Sequence, residues 1–410
     1  MNDGRLRDTT LSENGKHAYE WASSAMTILD KIKRKYERTQ PLSGFKLGVC
    51  LHITKETSVL VMTARELGAE VAVCSANPLS VQDELCSFLF SKGISIFARR
   101  GETKQEYNAC IRSVLRSGPD IIIDDGSDLH VTAHRLKIKN VVGGTEETTS
   151  GVKRLKALER KKMLMYPVIS VNDALTKHMF DNRYGTGQST IDGIIRATGI
   201  LLCGKYIVVC GYGWVGRGVA AVARGLGALV IVTEIDPIRA LEAHMDGFDV
   251  KLLTEAAEIG DIFITCTGQK YVIRREHIKK MKNGAILSNA GHFDIEIDIG
   301  FLKSQDSNPV RIRPNVDSYT LSGKRIILLA EGRVVNLVCA EGHPSEIMAL
   351  SFANQLLSII LIAKNYKKMG RQVYSVPKYI DRYVASSALE ASNLKIDVIT
   401  QTQKLYLNSI

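Results

Sequence analysis

A short apolar run, Tyr206–Cys210, leads into Gly211, Gly213 and Gly216, and this stretch limits the possible folds more than any other. A helical pattern follows the glycines, and a second apolar run, Leu229–Thr233, ends in Glu234. Strand, glycine turn, helix, strand and acid in that order form the first half of a dinucleotide-binding α/β unit. The glycines permit a tight turn and let backbone N–H groups approach a pyrophosphate at the helix N-terminus. Glu234 can accept hydrogen bonds from a ribose diol, which favours NAD over NADP. Arg239 would suit a 2′-phosphate, but Glu234 would repel the same phosphate.

The chain has 410 residues, 45% of them hydrophobic, enough for two or three domains with sizeable cores. Its polar N-terminus, Met1–Lys16, is not a secretory signal, and no run approaches the ~18 uninterrupted apolar residues of a membrane span. Eight cysteines without C-x-x-C pairs read as reduced thiols, so a cytoplasmic protein without a bound metal is expected. The net charge of +11 is spread along the chain without a nucleic-acid motif. It reads as a basic surface suited to small anionic ligands, with neither nucleic acid nor membrane as partner.

The N-terminal third reads as a helix from Ala18 to Tyr36, with Trp21, Met26, Ile28, Leu29 and Ile32 as its apolar set, and then as βαβα alternation. Strands are expected at Phe45–Leu51, Glu70–Cys74, Ile94–Phe97, Ile121–Ile123 and near Val141–Val142. Such alternation predicts a parallel sheet covered on both faces, with ligands beyond the carboxyl ends of the strands. His52, Thr54, Asp125 and Glu147 all fall there. Residues 170–187 read as a capped helix in which Lys177 and Asp181, four apart, share a face. A helix over about 189–202 follows, and 186–190 is the candidate hinge, with Gly185 and Gly187 as flexible points. Alternation resumes after Glu234, and a long apolar helix is expected at about Ser345–Ala363. The fold class is therefore α/β, with two doubly wound parallel-sheet domains joined by hinges. The expected division is 1–187 for substrate and catalysis and 188–344 for NAD. Residues 345–389 form a return segment on the first domain, and 390–410 a tail for oligomer contact.

Several blocks in this order make the chain resemble the S-adenosyl-L-homocysteine hydrolase family, in its shorter archaeal and bacterial form. They are Leu51–Thr54, Asp124–Gly126, Glu146–Thr149, Asn172-Asp173 with Lys177, Phe180–Gly185, Gly211–Gly218, Thr233–Pro237, Gly291–Asp294 and Gly342–Pro344. The resemblance covers nearly the whole chain. It implies a redox-assisted elimination with tightly held NAD: oxidation at the ribose 3′-hydroxyl, loss of the acidified C4′ proton and of homocysteine, water addition, and return of the hydride. By the same resemblance Lys177 and Asp181 meet the 3′-oxygen, His52 and Asp125 serve proton transfer near C4′ and C5′, and Glu147 binds the ribose hydroxyls. Thr54 and Glu56 meet the adenine edge, His343 closes over the base, and His292 covers the homocysteine side. The NAD site would be Thr148, Thr149, Ser150, Asn182, Gly211, Gly213, Val215, Gly216, Glu234, Arg239, Thr267, Ala290, Gly291, His292, Asn336 and His343.

The chain departs from the longer members at three places. Thr186 stands where many carry a cysteine, Arg239 replaces an asparagine, and a C-terminal extension reaching a partner's cofactor is missing. The resemblance implies a homotetramer, with a homodimer as alternative. Three other activities fit the same blocks: hydrolysis of S-inosylhomocysteine or another 5′-substituted nucleoside, elimination without hydration, and a catalytically inactive NAD-binding regulator. The last would have lost acid–base residues that are present here.

Overall fold

The computed structural model describes residues 9–409, so the first part of the N-terminal stretch weighed as a secretory signal lies outside the described residues. Two sheets organise the chain. The first contains β1 (Lys46–Leu51), β2 (Glu70–Ser75), β3 (Ser95–Phe97), β4 (Ile121–Asp124), β5 (Gly143–Glu146) and β6 (Val168–Ser170). The second contains β7 (Tyr206–Cys210), β8 (Leu229–Thr233), β9 (Asp249–Val250), β10 (Ile262–Thr265), β11 (Ala285–Asn289), β12 (Val310–Arg313), β13 (Val316–Leu321) and β14 (Lys324–Leu329). A last strand, β15 (Val373–Ser375), returns to pair in parallel with β6.

The first sheet has the order β15-β6-β5-β4-β1-β2-β3 and is parallel throughout. The second has the order β12-β13-β14-β11-β10-β7-β8-β9. Its β14-to-β9 part is parallel, and β12 and β13 add antiparallel at one edge. That edge is not anticipated by the alternation, because a β-hairpin carries no helical period between its strands. The strand expected near Val141–Val142 lies at Gly143–Glu146, whose two glycines weaken its apolar signal.

Each sheet is buried on both faces, which explains the near-continuous Val/Ile runs of β1, β4, β7, β8 and β10. The expected N-terminal helix is two helices, Thr9–Ala25 and Thr27–Tyr36, broken at Met26 (φ −94°, ψ 45°). Met26, Ile28, Leu29 and Ile32 join the first core, whereas Trp21 is 74% exposed.

The long helix runs from Ser345 to Asn365 and packs against the first sheet and the Thr27–Tyr36 helix. Ser345–Lys368 is long and apolar enough to cross a membrane by length and composition, but it has no long uninterrupted apolar run and most of it is buried inside the protein. Each fully buried Leu, Ile or Phe here stabilises the fold by roughly 1.5–3 kcal/mol. Five of the eight cysteines are buried, Cys266 and Cys339 are half-buried, and Cys203 is exposed.

The expected helix over 170–187 is a chain of short pieces: a 3-10 turn at Val171–Asp173, one helical turn at Leu175–His178 and a π-turn at Asp181–Gly185. The π-turn passes directly into the helix Thr186–Thr198. The two glycines read as flexible points are instead close-packing points. A Cβ on Gly187 would sit 2.6 Å from the backbone of Gly218, and one on Gly185 would sit 3.0 Å from Ile347. Residues 186–190 form the packed start of the helix Thr186–Thr198.

Candidate active site

In an open α/β sheet, the strand order reverses between two neighbours, and the loops beyond their carboxyl ends splay to leave a crevice. In the first sheet that point lies between β1 and β4. His52 follows β1 and Asp125 follows β4. The His52 Nε2 lies 3.6 Å from Asp125, and His292, from the second domain, places Nδ1 3.2 Å from the other Asp125 oxygen. His52 Nδ1 is 2.7 Å from the Ser80 hydroxyl, which orients the ring. Burial holds the His52 pKa down at about 4 even though Asp125 raises it, so the ring is neutral near pH 7. A neutral imidazole beside a carboxylate can accept a proton and hand it on. Ligand atoms of His52, Asp125 and His292 lie within 4.8 Å of one another, a spacing that would also suit a metal ion.

A second cluster lies beside the first. Lys177 Nζ is 2.8 Å from Asn182 Oδ1, 3.3 Å from Asp181 and 3.4 Å from Glu147. The four-residue spacing of Lys177 and Asp181 thus puts them on one face even though no single regular helix joins them. His343 Nδ1 stands 3.0 Å from Asp181, and its Nε2 stands 3.1 Å from the Thr186 hydroxyl. Thr186 thus does a polar job at the site.

Burial alone would lower the Lys177 pKa. The adjoining Asp181 carboxylate outweighs that, and the pKa is raised. Glu147 is pushed up to about 8, chiefly by burial, against the pull of Lys177. Asp181 is held low: burial opposes this, but Lys177 and His343 prevail. The cluster holds a charged lysine between one firm carboxylate and one acid that keeps its proton near neutral pH.

The adenine-edge candidates lie at the start of the helix Lys55–Glu66. Thr54 caps it, accepting from the Thr57 N–H at 3.4 Å. Glu56 is buried; its Oε1 accepts from the Ser345 hydroxyl at 2.7 Å and lies 3.4 Å from Lys55 Nζ. Among the described residues, the other Glu56 oxygen takes no protein hydrogen bond.

In the second sheet the strand order reverses between β7 and β10. Gly211 there has φ +103°, and a Cβ on Gly216 would meet the Gly211 carbonyl oxygen at 1.9 Å. Gly213 opens the helix Trp214–Gly225 without a side-chain cap, leaving its first N–H groups for a ligand. Val215 is half-buried against the domain core. Glu234 closes β8; its carboxylate accepts from the N–H groups of Tyr212 (2.7 Å), Ile235 (2.7 Å) and Asp236 (3.1 Å). Arg239 is exposed and its guanidinium comes within 3.8 Å of where a Gly213 Cβ would stand.

The loop after β10 places Thr267 across from Gly211, its hydroxyl donating to Glu296 at 2.7 Å. Ala290 and Gly291 follow β11, and a Cβ on Gly291 would collide with Glu296. From the first domain, Thr148 caps the helix Thr149–Arg160, Thr149 donates to Asn172 at 3.3 Å, and Ser150 lies against Thr148. Asn336 is buried and donates to Ser189, but its Oδ1 has no partner. The buried oxygens of Glu147, Asp181 and Asp125 that lack a hydrogen bond face Lys177, His343 and His292 as ion-pair partners, whereas Asn336 Oδ1 has no protein partner among the described residues. An unpaired buried acceptor is costly, and a bound dinucleotide would supply the donor that Asn336 Oδ1 lacks. The residues therefore fit NAD.

Several contributors escape a reading of the sequence. From the Ser345–Asn365 helix, Ser351 donates to Asp181 (2.5 Å) and Gln355 to Glu147 (2.6 Å). With Ser345 on Glu56, one helix orients three acids of the site. The available signal was Ser351 and Gln355 four apart on a largely apolar helix. Asn172 accepts from both Thr149 and Asn182, joining the cofactor-side hydroxyls to the Lys177 cluster. Asn289 shapes the His292 turn, donating to the carbonyls of Gly291, Phe293 and Gly332. Nothing in spacing alone marks Asn172, Asn289 or Glu296.

The fold and the site define a two-domain α/β protein of the dinucleotide-dependent enzyme class, with acid–base groups at one crevice and a glycine-rich nucleotide turn at the other. Comparison with known proteins narrows this class. Residues 3–140 match the family described as S-adenosyl-L-homocysteine hydrolase, and residues 182–342 match its NAD-binding domain. The chain is 53% identical to adenosylhomocysteinase of Sulfurisphaera tokodaii over 407 residues, covering 99% of this chain and 98% of that one. It is 51% identical over 409 residues to adenosylhomocysteinase of Aquifex aeolicus, covering 98% of each. It is also 51% identical over 405 residues to S-inosyl-L-homocysteine hydrolase of Methanocaldococcus jannaschii, again covering 98% of each. The chain belongs to the S-adenosyl-L-homocysteine hydrolase family.

Proposed function

We propose that this chain uses NAD to hydrolyse S-adenosyl-L-homocysteine reversibly to adenosine and L-homocysteine. The observation that carries the reading is the buried Lys177–Asp181–Glu147–Asn182 cluster set beside the His52–Asp125–His292 group, with the glycine turn of β7 on the facing domain. When bound, NAD takes the hydride from the ribose 3′-carbon and later returns it. Every other step falls to side chains. Lys177, kept charged by Asp181, stabilises negative charge at the 3′-oxygen, and Asp181 and Asn182 fix its direction. Glu147, carrying its proton up to about pH 8, can donate to or accept from a ribose hydroxyl. His52 and Asp125 move the protons of the C4′ and C5′ steps, and His292 closes that end against water. Thr54 and Glu56 hold the adenine edge, and His343 covers the base from the other domain.

For NAD, Gly211, Gly213 and Gly216 would hold the pyrophosphate, Glu234 the ribose diol, and Thr148, Thr149, Ser150, Thr267, Gly291 and Asn336 the nicotinamide half. The two domains close over the substrate in this reading. We read the assembly as a homotetramer, or else a homodimer, of a cytoplasmic protein. Ile235, Ile238, Leu241 and Met245 form an exposed apolar row on the NAD domain, and Val398, Leu405 and Leu407 are exposed on the tail.

The alternative substrate is S-inosylhomocysteine, since a relative of equal similarity carries that name. The free Glu56 oxygen favours adenine: a carboxylate accepts from the 6-amino group and repels a 6-oxo group. The test supplies purified, NAD-loaded protein with either substrate and follows free thiol and the 340-nm absorbance. Thiol and adenosine from the adenosyl substrate alone support the reading. Preference for the inosyl substrate overturns the role given to Glu56, and no thiol from either overturns the activity.

A further inference from the structure

We propose that Glu146 is a positioning residue for the elimination end of the site, tying the Asp125–Gly126 turn to the Thr148 cap and fixing the surface on which His292 rests. This builds on the hydrolase reading and adds a residue to which that reading gives no role. Glu146 ends β5, is completely buried, and stands in register with Asp124 on β4. Its Oε1 accepts from Gly126 N–H (2.9 Å), Thr148 N–H (2.9 Å) and the Thr148 hydroxyl (2.7 Å). Its Oε2 accepts from the Ser127 hydroxyl at 2.6 Å. All four donors lie on the two loops that leave the neighbouring strands, so a single carboxylate crosslinks them. The two N–H groups can only donate to it, whereas burial and the nearby Asp125 push its pKa up to about 7. The helix that starts at Thr149 begins over this carboxylate: a Cβ on Gly151 would sit 2.1 Å from Oε1. The N-terminal end of a helix dipole favours a negative charge at that place.

What the crosslink holds is the seat of His292. Gly126 has φ +91°, and a Cβ there would meet His292 Nε2 at 2.4 Å, so the ring rests on bare backbone. Glu146 takes the Gly126 N–H while Arg154 donates to its carbonyl, and the Arg154 guanidinium lies 5.9 Å from the Phe293 ring. Asp125, the residue before, faces His52 and His292. A shift of the Gly126 plane therefore moves the Asp125–His292 contact directly. It reaches Lys177 and Asp181, which hang from other segments, only at second hand.

The test compares NAD-loaded parent, E146L and E146Q, each shown folded by its melting curve. Leu fills the volume but accepts nothing. Gln keeps Oε1 as acceptor and can donate from its amide to the Ser127 hydroxyl. E146L is expected to lose about 30-fold in the rate of thiol release, with 3′-oxidation at 340 nm within about threefold of the parent, and E146Q to recover to within about fivefold. Equal thiol release from E146L and parent overturns the proposal. So does equal loss in E146L and E146Q, or parallel loss of oxidation and thiol release. If E146L does not fold, Ser127→Ala decides: a fall of about threefold in thiol release at unchanged oxidation supports the crosslink, and parent behaviour overturns it. A parent that releases no thiol at all would overturn the hydrolase reading instead, so the two failures are distinct.

Discussion

The two crevices of this molecule share a topology and differ in chemistry. The one between β1 and β4 is lined by ionisable side chains that are buried and shifted: His52 down, Glu147 up, Lys177 up, Asp181 down. The one between β7 and β10 offers glycine backbone, hydroxyls and a Glu234 carboxylate oriented by three backbone N–H groups, with acceptor capacity left over. There the buried acid, Glu296, is raised by burial but braces Thr267 and Gly268 rather than facing outward. A crevice that binds can be made of fixed backbone geometry. A crevice that moves protons needs groups whose charge states are poised, and burial next to opposite charge is how a fold poises them.

If this division holds, substitutions at the first crevice cut rates and those at the second cut cofactor affinity. The largest effect is expected for Lys177→Ala: a fall of about a thousandfold or more in 3′-oxidation, read at 340 nm with NAD still bound. Asp125→Asn should lower thiol release by about 300-fold with oxidation retained. A matching loss of bound NAD would erase the contrast between the crevices.

Stability gives an independent probe. The folded-state pKa of His52, about 4, lies below the ordinary value of 6.5, so the unfolded chain binds more protons between these values. The stability it contributes is therefore present above pH 6.5 and is lost as pH falls toward 4. Denaturant titrations should show His52→Asn losing up to about 3 kcal/mol less than the parent across that window. Equal slopes would place the ring in water.

Gly216→Ala should weaken NAD binding by about 30-fold, since its methyl collides with the Gly211 carbonyl, and saturating NAD should restore the rate. A rate that stays low at saturation would show that the nucleotide turn also shapes the catalytic crevice. Smallest, Gln355→Leu should lower turnover by about tenfold, by removing one donor from Glu147.

The nucleotide crevice was the more legible of the two, because its function lies in glycine spacing and in strand periodicity, both local to the chain. The strand-end residues His52 and Asp125 were legible for the same reason. Lys177 and Asp181 were read as sharing a helix face, and they do meet, although over a broken helix and a π-turn. The partners that poise them were not legible. Ser351, Gln355 and Ser345 act on residues 170, 208 and 289 positions away. No local period records such a contact. At Gly185 and Gly187 the use of glycine was harder to read, because glycine serves both freedom and close approach, and only the neighbour across the gap shows the second.

That close approach has a consequence for how the sequence can vary. Gly187 abuts the Gly218 backbone, and a Cβ on Gly218 would lie 1.8 Å from the Arg183 carbonyl oxygen. Three separated positions thus share one interlocking joint. A mutation that enlarges either glycine cannot be absorbed by its own neighbours, because what stands opposite is main chain. The two glycines behave as a single inherited character: a descendant keeps both, or must rebuild the whole joint between its halves.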